Sequence, residues 1–304
     1  MKTVRLISIF FTLVVAFSFI VAYTGGAAEK EVIIGGKNFT EQYILPEMAK
    51  ILMEKKGFKV ELKTGVGSTV LRQSLENDQV DLYYEYTGTS YTVYNKQEDR
   101  EIMTNKEKCY EWVKKADAEK GLVWLDTVRF NNTYTLIMRK DHAKKTGIVT
   151  ISDLSEYIKK YPGELVVGVG AEFWERPDGF KSLMKLYNFT VSYNRIKKMD
   201  DGLVYKALKD KQVDVSMGFA TDGRIAALGF ITLQDNKSYF PIYNPAPVVR
   251  AELLEKYPEI RDILKPISEE LTTSEMQKLN AMVDIEHREI SDVAMEWLEK
   301  KGLL

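Results

Sequence analysis

The sequence has very little of the chemistry that builds metal centres and disulfides. Cys109 is its one cysteine, and the two histidines, His142 and His287, stand far apart in the chain. A single cysteine cannot form an intramolecular disulfide, and a zinc site of cysteine and histidine is nearly excluded by supply. Cys109 lies in a charged stretch with helical periodicity, which favours an ordinary helix residue over a nucleophile paired with histidine. We therefore expect no metal and no cofactor.

Basic runs are missing as well. The 304 residues carry 43 Lys and Arg against 44 Asp and Glu, a net charge of −1, with no long cationic stretch. Because nucleic acid is bound through a basic face, we do not expect it as a partner. The hydrolase motifs G-x-S-x-G and H-E-x-x-H are also missing, and so is a glycine-rich loop that could hold phosphate. The length and a 45% hydrophobic content indicate a globular protein of about two domains, expected to be a monomer.

Long hydrophobic runs are confined to the N-terminus. Lys2 and Arg5 precede an apolar stretch from residue 6 to residue 23, and small residues follow as far as Ala28. This layout predicts a secretory signal peptide over residues 1–28. An uncleaved anchor formed by residues 6–23 is the alternative, because the stretch is near the lower length limit of a membrane span. Either way, the mature part is expected to be secreted across the cytoplasmic membrane and to work in a periplasmic or extracytoplasmic space.

From residue 31 onward, short apolar strands alternate with amphipathic helices, which predicts open α/β sheets. The first helix is predicted within NFTEQYILPEMAKILMEKKGF, with Asn38 as its cap, Glu41 completing a capping box, and Pro46 bending it or marking its first turn. Further along, RPDGFKSLMKLYNF is predicted to be a helix that begins at Arg-Pro-Asp, and TVSYNRI a strand.

One phrase occurs twice. QVDLYYEYTGT (79–89) is echoed by QVDVSMGFATDG (212–223), at an offset of 133 residues. The same offset superposes Gly35 on Gly168 and Tyr86 on Phe219. Two anchors in one register favour a two-lobe internal repeat. Residues 129–145 and 235–250 are then the segments that carry the chain between lobes. This predicts a discontinuous first lobe of residues 29–136 plus 240–304, a second lobe of residues 137–239, and two hinge strands.

The repeat predicts a shared ligand site, because ligands of open α/β sheets sit beyond the carboxyl ends of the strands. A cation follows the first strand of each copy, Lys37 in one and Arg176 in the other, and the later strand of each copy ends in Tyr86 or Phe219. Tyr134 and Tyr243 fall on the linking segments. Aromatic faces attract a cation that cannot donate hydrogen bonds, while Lys and Arg attract a carboxylate. A betaine, with a quaternary ammonium and a carboxylate, satisfies both groups.

These residues also carry a family likeness. GGKNFTEQYILPEMAKIL, DLYYEYTGT, EFWERPDG and QVDVSMGFATDGR resemble the ProX and OpuC-type glycine betaine/choline binders, the substrate-binding proteins of osmoprotectant ABC importers. The likeness runs from about residue 31 to the C-terminus. It implies a type II periplasmic-binding-protein fold that closes on its ligand and delivers it to a membrane permease driven by an ATPase.

The resemblance also implies residue roles. The aromatic box of the family corresponds to Tyr86, Tyr134, Phe219 and Tyr243. Its carboxylate clamp corresponds to Lys37, Thr89 and Arg176, and a backbone carbonyl near Asn132 meets the methyl groups. Thr89 and Asn132 enter only through the resemblance. Phe219 stands where the archaeal-type box has Tyr, and Trp174 is bulky enough to narrow the cleft.

Two alternatives to a receptor for glycine betaine or proline betaine remain open. The first is a receptor of the same fold for choline, carnitine or another cationic amino-acid-like solute. The second is a secreted enzyme acting on a small charged substrate, with carboxylates near strand ends as acid and base: Asp81, Glu85, Glu172 and Asp222. Such carboxylates also cap helices and pair with arginine, so we expect no enzyme.

Overall fold

The computed structural model describes residues 30–304. The predicted signal peptide or anchor over residues 1–28 lies outside these residues. Within the described range, no helix combines the length and the apolar character needed to cross a bilayer. The strands of this range are β1 Lys30–Lys37, β2 Phe58–Val66, β3 Leu82–Tyr86, β4 Leu122–Trp124, β5 Tyr134–Arg139, β6 Val167–Gly170, β7 Ile196–Met199, β8 Val215–Phe219, β9 Phe230–Thr232 and β10 Pro245–Arg250.

The helices surround these strands. They are α1 Glu41–Lys55, α2 Ser68–Glu76, α3 Thr87–Thr89, α4 Arg100–Met103, α5 Lys106–Ala118, α6 Lys140–Thr146, α7 Ile151–Lys160, α8 Ala171–Glu175, α9 Phe180–Tyr187, α10 Leu203–Lys209, α11 Gly223–Ala227, α12 Ala251–Lys256, α13 Ile260–Glu270, α14 Thr273–Asp284 and α15 Ile290–Lys300.

Two sheets of five strands form the centres of two lobes. Their strand orders are β2-β1-β3-β10-β4 and β7-β6-β8-β5-β9. In each sheet the first three strands are parallel, and the fourth runs antiparallel to its neighbours. The fourth strand of each sheet is also the strand that follows a crossing from the other lobe. The predicted two-lobed α/β architecture is therefore confirmed.

The 133-residue repeat is visible in the pairing register. Ile34 pairs with Leu82 and Gly35 with Tyr83 in the first sheet, and the residues 133 positions later make the same pairs in the second. The first Asp of each repeated phrase is structural. Asp81 accepts a hydrogen bond from the amide of Ile33 at 2.8 Å, and Asp214 accepts one from the amide of Val166 at 3.0 Å. The phrase therefore recurs partly because its aspartate ties two strands together.

The crossing points differ slightly from the predicted lobe boundary. Tyr134 already pairs with Phe219 in the second sheet. Residues 134–136, which the sequence assigned to the first lobe, are thus part of the second sheet, and the first crossing lies just before them. The two crossing segments run side by side, since the amide of Asn132 donates to the carbonyl of Tyr243 at 3.0 Å, and the amide of Tyr243 donates to Oδ1 of Asn131 at 2.8 Å.

Three local predictions were wrong. Helix α1 begins at Glu41 without a side-chain cap, so Asn38 does not cap it and Glu41 does not complete a capping box. Pro46 lies in its second turn, and the helix continues to Lys55. Helix α9 begins after Gly179 rather than at Arg176. The strand predicted in TVSYNRI begins only at Ile196, because residues 193–195 form a 3₁₀ turn.

The lobes pack around separate cores and are closed on each other. Helices α13, α14 and α15 pack with α1 over the first sheet. The second core contains residues of β5, β6 and β8, and it extends to Tyr86 and Tyr243 from the first lobe and the crossing segment. The short helix α11 of the second lobe packs against α14 of the first. A Cβ at Gly223 would lie 2.6 Å from the carbonyl oxygen of Gln277, so this contact depends on glycine.

Candidate ligand-binding site between the lobes

All eight residues singled out from the sequence line one cavity between the lobes. Lys37, at the end of β1, and Thr89, in α3, come from the first lobe, while Tyr134, at the start of β5, and Phe219, at the end of β8, come from the second. The cavity volume is about 30 Å³, against roughly 300–1,000 Å³ for typical ligand pockets. A ligand therefore has to widen it, which separation of the lobes would do. The eight residues are Lys37, Tyr86, Thr89, Asn132, Tyr134, Arg176, Phe219 and Tyr243.

The four expected rings form a nearly continuous aromatic wall. The ring centroids of Tyr134 and Phe219 are 5.0 Å apart, and those of Tyr134 and Tyr243 are 5.6 Å apart with planes at 86°. Tyr86 joins the wall through a fifth ring that the sequence reasoning missed. Phe39 stacks on Phe219 at 5.3 Å and lies 6.1 Å from Tyr86. Its position two residues after Lys37, in the same strand-to-helix connection, was the available signal.

The hydroxyls of two cage tyrosines are fixed by buried carboxylates. Tyr86 donates to Oε1 of Glu41 at 2.5 Å, and Tyr243 donates to Oδ2 of Asp178 at 2.7 Å. Each ring therefore has one hydrogen-bonded end and keeps its face free to line the cavity. We call Tyr86, Tyr134, Phe219, Tyr243 and Phe39 the cage.

Arg176 is buried between carboxylates and aromatic rings. Its Nε and Nη2 donate to the two oxygens of Asp178, both at 2.7 Å, and Nη2 also donates to the hydroxyl of Thr89 at 3.3 Å. Its guanidinium carbon lies 5.4 Å from the ring centroid of Tyr134 and 5.6 Å from that of Tyr243. Burial opposes the ionisation of Asp178, but Arg176 holds the pKa of that carboxyl below its usual value.

Lys37 is likewise paired inside its own lobe. Its Nζ donates to Oε1 of Glu85 at 2.6 Å and lies 5.1 Å from the ring centroid of Tyr86. Both residues are almost fully buried. Glu85 also accepts hydrogen bonds from the hydroxyls of Tyr83 and Tyr94, at 2.7 and 2.9 Å. The two cations therefore reach the cavity already neutralised, a feature that the sequence reasoning did not find.

A third carboxylate stands close to both cations. Oε1 of Glu172 lies 3.2 Å from Nη1 of Arg176. Burial raises the pKa of Glu172, but Arg176 and Lys37 together bring it below the usual value, with help from the hydroxyl of Ser68. Glu172 belongs to the second lobe, whereas Lys37 and Ser68 belong to the first. This carboxylate therefore lies in the cavity with the clamp cations of both lobes.

Several hydrogen bonds cross from lobe to lobe around the cavity. The hydroxyl of Thr221 donates to Oε2 of Glu41 at 2.6 Å, and the hydroxyl of Thr92 donates to Oδ2 of Asp178 at 2.6 Å. Gln277, on α14, donates to the carbonyl of Ala220 at 2.9 Å. The cavity is thus sealed by polar contacts as well as by helix packing.

The expected effect of Trp174 was wrong. It does not line the cavity, and its ring packs instead toward Phe180, 6.4 Å away, and under the ammonium groups of Lys181 and Lys198, both at 4.9 Å. The neighbouring Phe173 does not line the cavity either; it is fully buried in the second core, where it stacks on Tyr134 at 4.5 Å.

The four carboxylates considered as catalytic groups all have structural partners. Asp81 and Glu85 hold the strand pair and Lys37 as described, and Glu172 contacts Arg176. Asp222 caps α11 and pairs with Arg224 at 2.6 Å. Cys109 is buried in α5, and burial raises the pKa of its thiol to about 12, so it is not a reactive thiolate.

Residues 30–300 match the family described as the substrate binding domain of the ABC-type glycine betaine transport system. The chain belongs to this family. A glycine-betaine-binding protein of Pseudomonas aeruginosa is 41% identical over 93% of this chain and 92% of its own length. The carnitine transport binding protein OpuCC of Listeria monocytogenes is 36% identical, over 91% and 89%.

A solved structure of this family supports the same conclusion. The crystal structure of a glycine betaine/carnitine/choline ABC transporter superposes with a TM-score of 0.72 at 30% identity, covering 90% of this chain and 98% of that one. The protein is thus a substrate-binding protein of a betaine/carnitine/choline ABC transporter and not an enzyme. Proteins of this class bind small ligands outside the cytoplasm and deliver them to a permease.

Proposed function

We propose that this protein captures a quaternary-ammonium compatible solute, with glycine betaine or proline betaine as the preferred ligand, and delivers it to an ABC permease and its ATPase. Tyr86, Tyr134, Phe219 and Tyr243 surround the methylated nitrogen, and the carbonyl near Asn132 meets the methyl groups. Lys37, Thr89 and Arg176 hold the carboxylate. Each ring contact contributes about 0.5–2 kcal/mol.

The observation that carries this proposal is the convergence of these eight residues on one cavity between the lobes. Each of the two lobes contributes aromatic rings and one cation. A ligand that touches residues of both lobes therefore favours the closed arrangement. The betaine- and carnitine-binding relatives support the same ligand class. Choline or carnitine is the alternative, because the carnitine relative is only slightly less similar than the betaine one.

Arg176 provides the test that separates a betaine from choline. Arg176→Ala alone would leave Asp178 buried without its partner, so the variant combines it with Asp178→Asn. We expect betaine affinity to fall about 10- to 100-fold, since a charge-assisted hydrogen bond contributes about 1.5–3 kcal/mol. Choline, which has no carboxylate, should bind as it does to the Asp178→Asn protein.

Isothermal titration with glycine betaine, proline betaine, carnitine, choline and arginine measures these affinities. Arg195→Ala, an exposed position of the same lobe, is the matched control and should bind every ligand like the wild type. Equal losses for betaine and choline would remove Arg176 from the clamp. Binding of arginine but of no quaternary ammonium would reject the proposed ligand class.

A further inference from the structure

One buried carboxylate joins both lobes and the segment between them. Glu41, at the start of α1 on the first lobe, is only 1% exposed. Its Oε2 accepts a hydrogen bond from the hydroxyl of Thr221, on the second lobe, at 2.6 Å. Its Oε1 accepts one from the side-chain amide of Asn132, in the first crossing segment, at 3.1 Å. The hydrogen bonds of Glu41 therefore depend on how the lobes are placed.

The same carboxylate is connected to the cage and to α14. Oε1 of Glu41 accepts the hydrogen bond of the Tyr86 hydroxyl at 2.5 Å, so it orients a ring that lines the ligand cavity. Asn280, on α14, interacts with Glu41 and donates to the carbonyl of Thr221 at 2.9 Å. We call Glu41, Thr221 and Asn280 the latch. None of the three lines the ligand cavity, so the latch acts on a ligand only through other residues.

The latch borders a chamber between the lobes. This chamber has a volume of about 160 Å³. Its charged lining residues are Glu41 and Asp284 from the first lobe and Asp201, Asp222 and Arg224 from the second. Because the chamber separates facing surfaces of the two lobes, their opening admits water to Glu41. Water stabilises an ionised carboxylate and burial destabilises it, so opening and closing favour different charges on this residue.

The closed chamber gives Glu41 no counter-charge. Within residues 30–304, no cation forms an ion pair with it. The guanidinium of Arg224 donates instead to both oxygens of Asp222, at 2.9 and 2.6 Å, and lies 3.4 Å from Oδ2 of Asp284. Burial raises the pKa of Glu41 to about 7, against the opposing effect of donors such as Thr221. The closed arrangement therefore favours the neutral form of Glu41.

The surroundings of Glu41 can also hold its proton. The hydroxyl of Thr221 is able to accept a hydrogen bond as well as donate one, so it can receive the proton of a neutral carboxyl. Oδ1 of Asn132 and Oδ1 of Asn280 are buried and have no hydrogen-bond partner within the described chain. Buried acceptors are normally paired, and a protonated Glu41 brings one more donor to this region.

Other groups around the chamber titrate in the same direction or not at all. Burial, with repulsion from neighbouring carboxylates, raises the pKa of Asp201 to about 7. Burial also raises the pKa of Asp284, and Arg224 opposes that shift. Tyr86 stays neutral, because burial and the adjacent Glu41 raise the pKa of its phenol. A test of Glu41 therefore has to be separated from Asp201 above all.

We propose that Glu41 is a positioning residue that couples ligand capture to pH, because closing of the lobes binds a proton at the latch and opening releases it. The proton comes from the solvent and adds to the carboxylate, with no other change in covalent structure. This inference goes beyond the proposed function, since closure on any ligand buries the same carboxylate.

The sign of the coupling follows from the two environments. In the open form Glu41 returns toward its ordinary pKa of 4.5, whereas the closed form raises the pKa to about 7. The contribution of Glu41 to closure is therefore fully present below about pH 4.5 and is lost as the pH rises to about 7. Ligand affinity should be higher in acid than in alkali.

Titration calorimetry with glycine betaine from about pH 5.5 to about pH 8 tests the latch. The ammonium of this ligand carries no proton and its carboxylate stays ionised over the range, so the ligand itself does not titrate. Wild-type affinity should fall at least about tenfold, because a one-proton equilibrium changes by up to tenfold per pH unit. Repeating the titrations in buffers with different heats of ionisation should show uptake of about one proton at Glu41 near pH 6.

Variants assign the proton to its residue. Glu41→Gln imitates the neutral latch, so it should match the wild type at about pH 5.5 and bind at least about tenfold more tightly at about pH 8. Asp201→Asn should still lose affinity with rising pH, and the double variant should lose little. Thr221→Val should move the fall to higher pH, because its hydroxyl lowers the pKa of Glu41. Glu54→Gln, at an exposed position of α1, is the control and should follow the wild type.

The outcomes separate the latch from the proposed function. An equal fall of affinity in the wild type and in Glu41→Gln would overturn the latch, and so would a wild-type affinity that does not depend on pH. A fall that disappears in Asp201→Asn alone would assign the proton to Asp201 instead.

Failure of the wild type to bind glycine betaine, choline or carnitine would reject the proposed function alone. Small-angle scattering of the free protein then decides on the latch. The wild type should be more compact at about pH 5.5 than at about pH 8, and Glu41→Gln should not change between them. Equal compactness of the wild type at both values would overturn the latch.

Discussion

At the scale of single residues, Glu172 places a carboxylate at the proposed clamp, where the carboxylate of the ligand is expected to bind. Its carboxylate lies 3.2 Å from Arg176 and interacts with Lys37, so it approaches both cations of the proposed clamp. About a third of the Glu172 side chain remains exposed, in contrast to the buried Asp178 and Glu85. Glu172 is thus the partner that a ligand carboxylate can displace most readily.

Glu172→Gln should therefore strengthen betaine binding several-fold. The neutral amide no longer competes for Arg176 and Lys37, and it leaves more positive charge for the ligand carboxylate. Choline affinity should stay the same or fall, because a negative charge near the cage is lost. Calorimetry with both ligands measures the effect. Glu175→Gln is the control, because Glu175 lies on the same helix as Glu172 and forms an exposed ion pair with Lys181. A betaine affinity that does not rise would show that Glu172 does not occupy the carboxylate position.

The site residues found from the sequence were those that occur in the repeated phrase or in a motif of the family. Tyr86 and Phe219 end corresponding strands of the two copies, and Lys37 ends the first strand of one copy, so the repeated pattern pointed to them. Phe39 and Asp178 were missed because their contacts depend on the lobes meeting. Asp178 pairs with Arg176 two residues away but reaches Thr92 and Tyr243 only across the cleft, and no pattern in the chain encodes that contact.

At the scale of elements, the closed arrangement depends on the packing of α11 against α14. Gly223 begins α11, and a Cβ there would lie 2.6 Å from both the carbonyl oxygen of Gln277 and Cβ of Ala281. Backbone atoms cannot move aside cheaply, so any side chain at this position pushes the helices apart. The contact lies away from the cage and can be changed without touching the proposed ligand contacts.

Gly223→Ala should weaken binding of every ligand by a common factor, of about tenfold if the displaced contact costs about 1–2 kcal/mol. The reason is that only the closed form holds the ligand from both sides, so a less favourable closure lowers all apparent affinities equally. Calorimetry with betaine and choline measures the factor, and small-angle scattering with ligand checks the closure.

Gly67→Ala provides the control for Gly223→Ala. A Cβ at Gly67 meets no atom within 4 Å, so the same substitution there should leave binding unchanged. A selective loss of one ligand in Gly223→Ala would mean that α11 acts on the site directly rather than through closure.

The sequence predicted which helices and strands occur more accurately than it predicted where they begin and end. The β-α-β-α-β order and the strands Leu82–Tyr86 and Val215–Phe219 came from hydrophobic patterning, which local burial dictates. The start of α1 did not, because Glu41 has the spacing of a capping residue but is drawn instead into a buried network with Tyr86 and Thr221. A tertiary contact across the lobes overrides the local capping preference at this position.

At the scale of the whole molecule, buried Glu41 links stability to pH. Burial raises its pKa to about 7 in the folded protein, although donors such as Thr221 and Tyr86 oppose the shift. The ordinary value is 4.5. Protonated Glu41 is therefore favoured in the folded state. Its contribution to the free energy of unfolding is fully present below about pH 4.5, and is lost as pH rises to about 7, amounting to about 3 kcal/mol.

Glu41→Gln should remove this pH dependence, because the amide does not titrate. As the pH rises from about 5 to about 8, the melting temperature of the variant should rise relative to that of the wild type. Differential scanning calorimetry at both values measures the difference, and Glu54→Gln, an exposed residue of the same helix, should follow the wild type. Parallel pH profiles of the wild-type and Glu41→Gln proteins would contradict a buried titrating carboxylate at this position.

The hydrogen-bonded crossing segments have a mechanical consequence. Asn132 and Tyr243 join the two strips of chain between the halves of the molecule, and both also line the cavity. The link between the two crossing segments and the lining of the pocket are thus built from the same two residues. If the lobes turn about these segments, a ligand that shifts the two residues slightly shifts the distant edges of the lobes by a larger distance.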